Sequence, residues 1–341
     1  MRTFARSPRR SPLARLRYSL LLSLAVGLAA CDRPAPSPAP EAGKSSAPTT
    51  PAPGQSASPP AASIDPGAVE KATGIKPEVA DTVVKVSYPR SDVKVEVDGW
   101  SMPPFMGLTS WAGFTPGKAP GVEAMVMGDL VLFQDEVSDA MSAALNAGIK
   151  VTALHNHFFF DKPHVYFMHI EGEGTVDAMG KGVRAALDAM KAVRAKAPQP
   201  KEAFEGAPIP AKSSIDPAKV EASVGHKGQA KDGMVKVVVG RSATQAACGC
   251  AVGKAMGVNT WAAFAGSNES AVVDGDFAVT EDELQPVLKA LRAGTIHIVA
   301  IHHHMVGEQP RVLFLHYWGR GSVDALGGTI KTALSLTKTE G

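Results

Sequence analysis

The feature of the sequence that most constrains the fold is an internal duplication. Several segments recur in the same order and at nearly the same spacing in two parts of the chain. The longer matches are residues 63–66 and 214–217 (both Ser-Ile-Asp-Pro), 109–114 and 259–264, and 174–179 and 321–326. Shorter ones lie between them, namely Arg-Ser at 90–91 and 241–242, Gly-Asp at 128–129 and 275–276, and Asp-Glu at 135–136 and 282–283. The pattern predicts a repeat over residues 63–190, a connector over 191–213 and a second repeat over 214–338.

Each repeat has the sequence pattern of a mixed helix and strand protein. The Ser-Ile-Asp-Pro segment predicts a short helix, with Asp65 or Asp216 as its N-cap and proline in its first turn. Alternating apolar residues then predict strands, and the stretch that follows Asp-Glu predicts a second helix. A hairpin and a terminal helix complete each copy. The expected fold class is α+β, with two homologous repeats that each form an antiparallel or mixed sheet with helices on one face.

The hairpin of the second repeat, over residues 296–321, carries a group of histidines. His302 and His304 are two residues apart on one strand, so their side chains share a face. A turn over residues 307–310 would place His316 of the return strand opposite His302. Three converging imidazoles are a ligand set for zinc, copper, nickel or iron.

The first repeat has the same pattern in residues 151–174, where the histidines are His155, His157 and His169. The four other histidines of the chain have no histidine at the matching position; they are His164, His226, His297 and His303. Retention of three histidines in both copies indicates that they share a use. We predict that each hairpin binds zinc or another divalent transition metal. The alternatives are a buried structural network of histidines and carboxylates, and a polar catalytic cleft without metal.

Acidic residues near the hairpins offer partners for the histidines. Asp129 and Asp276, in the repeated Gly-Asp step, are predicted to orient ligating histidines by hydrogen bonds. Glu136 and Glu283 begin the following helix, and Glu283 also completes a capping box with Thr280. No acidic residue obtains a catalytic role from its spacing alone, so the sequence assigns no catalytic residue.

The N-terminus has the pattern of a lipoprotein signal. Residues 1–30 combine a basic start, a short apolar stretch and small residues, which together predict a secretory signal peptide. The sequence Leu-Ala-Ala-Cys at 28–31 predicts cleavage before Cys31 and lipidation of that cysteine. Residues 31–62 are rich in Pro, Ala and Ser and predict a disordered linker. We therefore expect a protein anchored to membrane lipid through acylated Cys31, located in the cell envelope and facing the periplasm or another extracytoplasmic space.

Charge argues against nucleic acid as a partner. The formal net charge of +2 becomes about −4 once the six arginines of the signal are removed. A mildly acidic protein has no electrostatic attraction for phosphate backbones. Protein partners are not predicted by the sequence.

Two further features need an interpretation. Cys248 and Cys250 occur only in the second repeat, where they would bind Cu(I), form a disulfide or pair with another chain.

The aromatic residues of the matched segments 109–114 and 259–264 are predicted to pack in the core; they are Trp111, Phe114, Trp261 and Phe264.

The chain resembles the LppY/LpqO family of bacterial lipoproteins. The resemblance rests on a Gly-Asp strand at 128–129, the segment Ala-Leu-His-Asn-His at 153–157 and the segment Phe-Met-His that begins at 167. In the second copy Ala-Ile-His-His-His at 300–304 replaces the middle motif, so His303 stands where the family has asparagine. The resemblance covers residues 63–337 in two tandem copies, and it implies lipidation and fold without implying an activity.

These observations lead to one expected function and two alternatives. The expected function is that of a membrane-anchored extracytoplasmic lipoprotein that binds a divalent transition metal through the histidine hairpins, for sequestration or sensing. The first alternative is a zinc-dependent hydrolase that acts on an envelope substrate. The second is a non-catalytic binding or scaffolding lipoprotein whose histidines are structural.

Overall fold

The structure is a computed structural model that describes residues 63–338. The predicted signal peptide over 1–30, the predicted lipidation site Cys31 and the linker that ends at residue 62 lie outside the described residues. Within residues 63–338, no helix combines the length and the apolar character that crossing a membrane requires.

Both repeats contain the same elements in the same order. The first comprises α1 (Pro66–Thr73), β1 (Glu78–Ala80), β2 (Val83–Pro89), β3 (Val95–Val97), β4 (Trp100–Met102), β5 (Thr109–Pro116), β6 (Ala124–Phe133), α2 (Val137–Asn146), β7 (Lys150–His155), β8 (Asp161–Lys162), β9 (Val165–Gly174) and α3 (Val176–Lys196). The second comprises α4 (Pro217–Val224), β10 (Gly228–Lys231), β11 (Met234–Gly240), β12 (Ala243–Gln245), β13 (Cys250–Val252), β14 (Asn259–Gly266), β15 (Ala271–Thr280), α5 (Glu281–Ala293), β16 (His297–His302), β17 (Glu308–Gln309), β18 (Val312–Gly321) and α6 (Val323–Leu334). A short 3₁₀ helix precedes β5 and another precedes β14 (Pro104–Met106 and Lys254–Met256). The predicted α+β class is confirmed.

Local capping explains where several helices begin. The carboxylate of Asp65 accepts a hydrogen bond from the backbone N–H of Gly67, and Asp216 does the same for Ala218, each at 2.9 Å. The capping box predicted for α5 is present between Thr280 and Glu283. Side-chain oxygens at these positions satisfy amide groups that the first turn of a helix leaves unpaired.

The large strands of both repeats form one continuous sheet. Its order is β1-β2-β5-β6-β9-β7-β16-β18-β15-β14-β11-β10, so the second half repeats the first in reverse. The two halves meet where β7 pairs antiparallel with β16, with Leu154 opposite Ile301. Both side chains are buried. This junction removes two edge strands that would otherwise expose unpaired backbone groups.

The two faces of this sheet are covered differently. Helices pack on one face and enclose the main core, which includes Phe114, Phe264, Leu187 and Leu288. The other face carries two small three-stranded sheets, of order β4-β3-β8 and β13-β12-β17. Each small sheet lies over its own apolar cluster, built around Phe167 in the first repeat and around Phe314, Val258 and Ala278 in the second. Because strand side chains alternate between faces, odd-numbered positions of β9 and even-numbered positions of β18 reach this second face.

A buried ion pair is duplicated with the fold. Arg90 and Glu136 form two hydrogen bonds, of 2.8 and 2.9 Å, and both side chains are fully buried. Arg241 and Glu283 form the corresponding pair, and Arg241 also donates to the carbonyl of Ala278 at 3.0 Å. These pairs explain why the Arg-Ser and Asp-Glu steps recur in the sequence. The two glutamates are held by arginine and do not join the histidines.

Replacing Arg241 with methionine is expected to lower the free energy of unfolding by about 3–5 kcal/mol, because Glu283 would remain buried without its cationic partner. Urea denaturation measures this change. The matched control is Lys219→Met, which removes the partner of Asp324 at 3.0 Å and should lower stability far less, because solvent screens this surface pair. Equal losses for the two variants would contradict a structural role for the buried pair.

Candidate metal centre

The histidines of the second repeat lie where two strands of the large sheet end. His302 is the last residue of β16, His304 follows two residues later, and His316 lies within β18. The predicted pairing of His302 with His316 is wrong by two residues. His316 lies opposite Ala300, and His302 lies opposite Phe314. The reason is that residues 308–309 are not the turn: they form β17, which pairs with β12 and lengthens the connection.

The three rings still come together, because paired and diagonal positions share one face of a sheet. The ring centroid of His302 lies 4.8 Å from that of His316 and 5.1 Å from that of His304. The ring of His304 also stacks on Phe314 at 3.5 Å. His304 is the exposed member of the cluster, while His302 and His316 are half-buried. The predicted grouping of these side chains is thus present in the fold.

The first repeat reproduces this cluster closely. The ring of His155 lies 5.0 Å from His169 and 5.1 Å from His157, and His157 stacks on Phe167 at 3.4 Å. The Nε2 atoms of His155 and His169 are 2.9 Å apart. One of these nitrogens must therefore carry a proton and the other must accept it.

An aspartate lies beside each cluster. Asp129 of β6 pairs with His169, and Asp276 of β15 pairs with His316, so each carboxylate shares the face of the histidines. Asp276 is buried, and its Oδ1 is 3.9 Å from Nδ1 of His316. The predicted role of both aspartates, orienting a histidine, agrees with this placement without being tested by it.

The glycine before each aspartate is required by close packing between strands. A Cβ atom on Gly275 would lie 2.1 Å from the hydroxyl of Tyr317 and 2.4 Å from the carbonyl of Trp261. A Cβ atom on Gly128 would lie 2.5 Å from the carbonyl of Trp111. In the second repeat the Tyr317 hydroxyl donates a hydrogen bond of 3.0 Å to that Trp261 carbonyl across the glycine. The Gly-Asp step therefore combines tight strand packing with an inward carboxylate.

Three polar atoms of these clusters are buried without a hydrogen-bond partner. They are Oδ1 of Asp129, Oδ1 of Asp276 and Nε2 of His302. Native proteins pair nearly all buried polar atoms, and the two aspartate oxygens occupy matching places in the repeats, so each of these places is able to interact with a ligand, an ion or a water molecule.

Burial controls the protonation of the second cluster. Burial raises the pKa of Asp276 to about 6, although the neighbouring His316 acts in the opposite direction. Burial also lowers the pKa of His302, and the positive charge that His316 and His304 can carry lowers it further. The pKa of His304 is lowered for the same reasons, by burial and then by His316. The lowered pKa values of His302 and His304 favour the neutral form of these two imidazoles, which is the form that binds metals.

The rings do not converge on a common point as they stand. In the first cluster the planes of neighbouring rings are inclined by only 17° and 23°, and the Nε2 atoms of His155 and His169 are directed at each other. Across the described part of the chain, no group of three or more His, Cys, Asp or Glu side chains is arranged to hold a metal ion. Coordination by all three histidines would require ring rotation.

A tryptophan lies next to the aspartate of each cluster. Trp111 lies opposite Asp129 and Trp261 lies opposite Asp276, so both indoles share the histidine face. Both are half-buried, and a lysine ammonium lies over the Trp261 ring at 3.9 Å. The prediction of core packing is correct for Phe114 and Phe264, which are fully buried, and wrong for the tryptophans. The signal that sequence reasoning missed is the odd spacing between Trp and Phe in each segment, which puts the two residues on opposite faces.

A cleft of about 730 Å³ reaches the second cluster at His316. Its lining includes Trp318, Arg320, His297 and Phe204. The ring of His297 stacks on Phe204 at 4.1 Å, and its Nδ1 is 2.7 Å from the hydroxyl of Ser138. Burial and the nearby Arg292 lower the pKa of His297 to about 4, so this ring is neutral at physiological pH. The sequence pattern does not predict a role for His297, because the matching residue of the first repeat is a lysine.

The first repeat has different chemistry at these positions. Lys150 and Glu171 of the first repeat occupy the places that His297 and Trp318 occupy in the second, because each pair lies opposite across two strands. The Nζ atom of Lys150 is 3.4 Å from Oε1 of Glu171. The two histidine clusters are therefore similar, while the residues around them differ.

The remaining predicted groups have other roles. His164 contacts the buried Asp161 at 3.3 Å, and His303 is exposed between its two neighbours. Of the three possibilities predicted for the cysteines, the structure contains the disulfide between Cys248 and Cys250.

Comparison with known proteins identifies a family without an activity. A comparison with curated proteins found no match. Among solved structures, the crystal structure of the trimeric bacterial microcompartment shell protein PduB matches with 14% sequence identity, 76% of this chain and 89% of that chain covered, and a TM-score of 0.17. Similarity at that level supports no conclusion about this chain. The family described as Domain of Unknown Function (DUF1259) matches twice, over residues 67–189 and 218–336. These two matches span most of the chain, which therefore belongs to this family of unknown function and contains two tandem copies of its domain.

Proposed function

We propose that each repeat binds one divalent transition-metal ion, with zinc as the leading candidate, through its three histidines. The observation that carries the proposal is the set of buried atoms without partners where each cluster meets its aspartate. A cation would satisfy the Nε2 lone pair of His302 and offset the buried charge of Asp276. No other described side chain bonds to these two atoms.

Distances within the clusters are compatible with this proposal. Two nitrogens bound to one zinc ion at about 2.0–2.1 Å lie roughly 3 Å apart. The Nε2 atoms of His155 and His169 are 2.9 Å apart. The third histidine, His157, is exposed and stacked on Phe167, so its ring can rotate towards the same point. Asp129 and Asp276 would then hold His169 and His316 in place, as carboxylates often do for histidine ligands.

The composition of the site also limits the choice of metal. Imidazole nitrogens favour zinc, copper, nickel and iron over magnesium and calcium. Three histidines leave at least one coordination position open in a tetrahedral ion. The role we propose is sequestration or sensing of such an ion.

A specific observation favours a second candidate function, zinc-dependent hydrolysis of an envelope substrate. The cleft of about 730 Å³ adjoins His316 and offers Trp318 and Arg320 for substrate contacts. A zinc-bound water beside Asp276 and open to this cleft would favour hydrolysis. An ion coordinated by protein groups alone would favour sequestration or sensing.

We also propose that the protein is a lipoprotein of the LppY/LpqO type, tethered to the cell envelope and facing the extracytoplasmic space. The support is the Leu-Ala-Ala-Cys segment at 28–31 after a basic and apolar start. Radiolabelled palmitate should be incorporated into the expressed protein and be lost in the Cys31→Ser variant. Equal labelling of the variant would contradict lipidation at Cys31.

Metal analysis of the protein purified without a polyhistidine tag tests the main proposal. We expect about two zinc ions per chain. The variant His302→Ala/His316→Ala should lose one, and His155→Ala/His169→Ala should lose the other. The matched control is His303→Ala, which removes an exposed histidine between two cluster members and should retain both ions. Failure to bind metal, with no rise in melting temperature on adding zinc or copper, would leave the structural interpretation of the histidines.

The pKa of Asp276 gives a second prediction. A carboxyl with a folded pKa of about 6 and an ordinary value of 3.8 binds its proton more tightly in the folded state. The free energy of unfolding of the metal-free protein should therefore fall as the pH rises from about 4 to 6, and it should stay at the lower value above pH 6 as far as Asp276 is concerned. Asp276→Asn should raise the free energy of unfolding at pH 8 in EDTA by on the order of 2 kcal/mol, with little effect at pH 4.

Thermal and urea unfolding at the two pH values measure this effect. Asp274→Asn is the matched control, because Asp274 is exposed on the same face of the same strand. With saturating zinc the gain from Asp276→Asn should disappear, since the carboxylate then compensates the cation. An Asp276→Asn variant that is less stable than the wild type at pH 8 in EDTA would contradict this account.

A further inference from the structure

A second group of metal-binding side chains lies beside the histidine cluster of the second repeat. Cys248 lies in the turn between β12 and β13, Cys250 is the first residue of β13, and both are exposed. They line a cavity of about 370 Å³ together with Met256, His304 and Met305. Two sulfurs of cysteine, two thioethers and one imidazole thus surround one small space.

The first repeat shows that the two cysteines are an addition to the common fold. In the second repeat, Cys250 of β13 pairs with Gln245 of β12. In the first repeat, the matching residue of β4 is Trp100, which pairs with Val97 of β3. The residue after the second histidine of the motif is Met305 in the second repeat and phenylalanine in the first. Side chains that cannot bind a metal ion stand at these places in the first repeat, which nevertheless has the same strands. The two cysteines therefore serve no need of the fold, whereas Met305 also packs against the apolar cluster of its repeat and Met256 has a counterpart in Met106.

We propose that the reduced Cys248–Cys250 pair binds one Cu(I) ion together with sulfur and imidazole groups of this cavity, and that the disulfide is the closed state of the site. Thiolates bind both Cu(I) and zinc, whereas thioethers are soft ligands of Cu(I) that are not among the usual ligands of zinc, so the two methionines favour Cu(I) at this place. The Cα atoms of the two cysteines are 5.2 Å apart, which allows both sulfurs to contact one ion. Met305 and His304 of the hairpin line the same cavity and can complete the coordination.

Opening the site requires reduction of the disulfide. A dithiol reductant supplies two electrons and two protons, breaks the S–S bond, leaves two thiols and becomes a disulfide itself. Cu(I) then displaces the thiol protons into solvent as the Cu–S bonds form. Because both cysteines are exposed, a protein dithiol or a small thiol reaches them directly, and exposed disulfides are the more easily reduced class.

This site is separate from the histidine metal centre, although His304 borders both. The two proposals fail independently. Loss of the cysteines should leave zinc binding by the clusters unchanged, and loss of His302 and His316 should leave Cu(I) binding by the cysteines in place.

Anaerobic competition with the Cu(I) chelator bathocuproine disulfonate tests the inference on the full chain. After reduction with a water-soluble phosphine, the protein should remove one equivalent of Cu(I) from the chelator at least about tenfold more effectively than the oxidised protein. Cys248→Ser/Cys250→Ser should abolish that difference while keeping Cys31, so the difference reports the pair alone. Met305→Leu should weaken binding, whereas Met234→Leu, an exposed methionine outside the cavity, should not.

Two further results decide the matter. His302→Ala/His316→Ala should retain the Cu(I) equivalent, and X-ray absorption of the copper complex should contain sulfur neighbours. Equal Cu(I) affinity in the oxidised and reduced proteins, or full retention by the cysteine double variant, would overturn the proposal.

Discussion

The antiparallel pairing of the Gly-Asp strand with the histidine strand is the interaction on which the candidate site depends. Asp276 lies opposite His316 and Asp129 lies opposite His169, so strand register alone delivers a carboxylate to an imidazole in both repeats. The glycine before each aspartate lets the neighbouring strand approach, since any Cβ on Gly275 would overlap the hydroxyl of Tyr317. The site is thus built on strands that pair with a neighbour on both sides. Its histidines and aspartates lie on the face of the sheet that the helices leave uncovered.

Duplication gave the protein two similar centres within one sheet and different surroundings for each. The junction at Leu154 and Ile301 unites the repeats through backbone pairing, while every cluster is built from strands of its own repeat. Around the first cluster the sheet carries the pair Lys150 and Glu171. The second cluster instead lies between a cleft and a sulfur-lined cavity. Similar histidine clusters with different surrounding residues are expected if both copies keep the chemistry of the cluster and only the second copy acquires an additional function.

Sequence reasoning predicted the duplication, the fold class and the grouping of the histidines, because each of these follows from local periodicity. The pairing of His302 with His316 failed, since the register depended on β17, a two-residue strand held by a distant partner. The single large sheet was also beyond prediction, because the pairing of Leu154 with Ile301 depends on which edge strands remain open. His297 has no counterpart in the first repeat, and comparison of the two copies cannot detect functional residues at positions where the copies differ.

The central claim is that each aspartate and its three histidines form a metal centre. The most direct test is anomalous scattering at the zinc absorption edge from crystals of the zinc-loaded protein. The account predicts two peaks per chain, one bonded to ring nitrogens of His155, His157 and His169 and one to those of the matching histidines in the second repeat. Crystals grown with zinc in which both clusters lack a peak, and in which the imidazoles and aspartates instead bond to each other or to water, would contradict it.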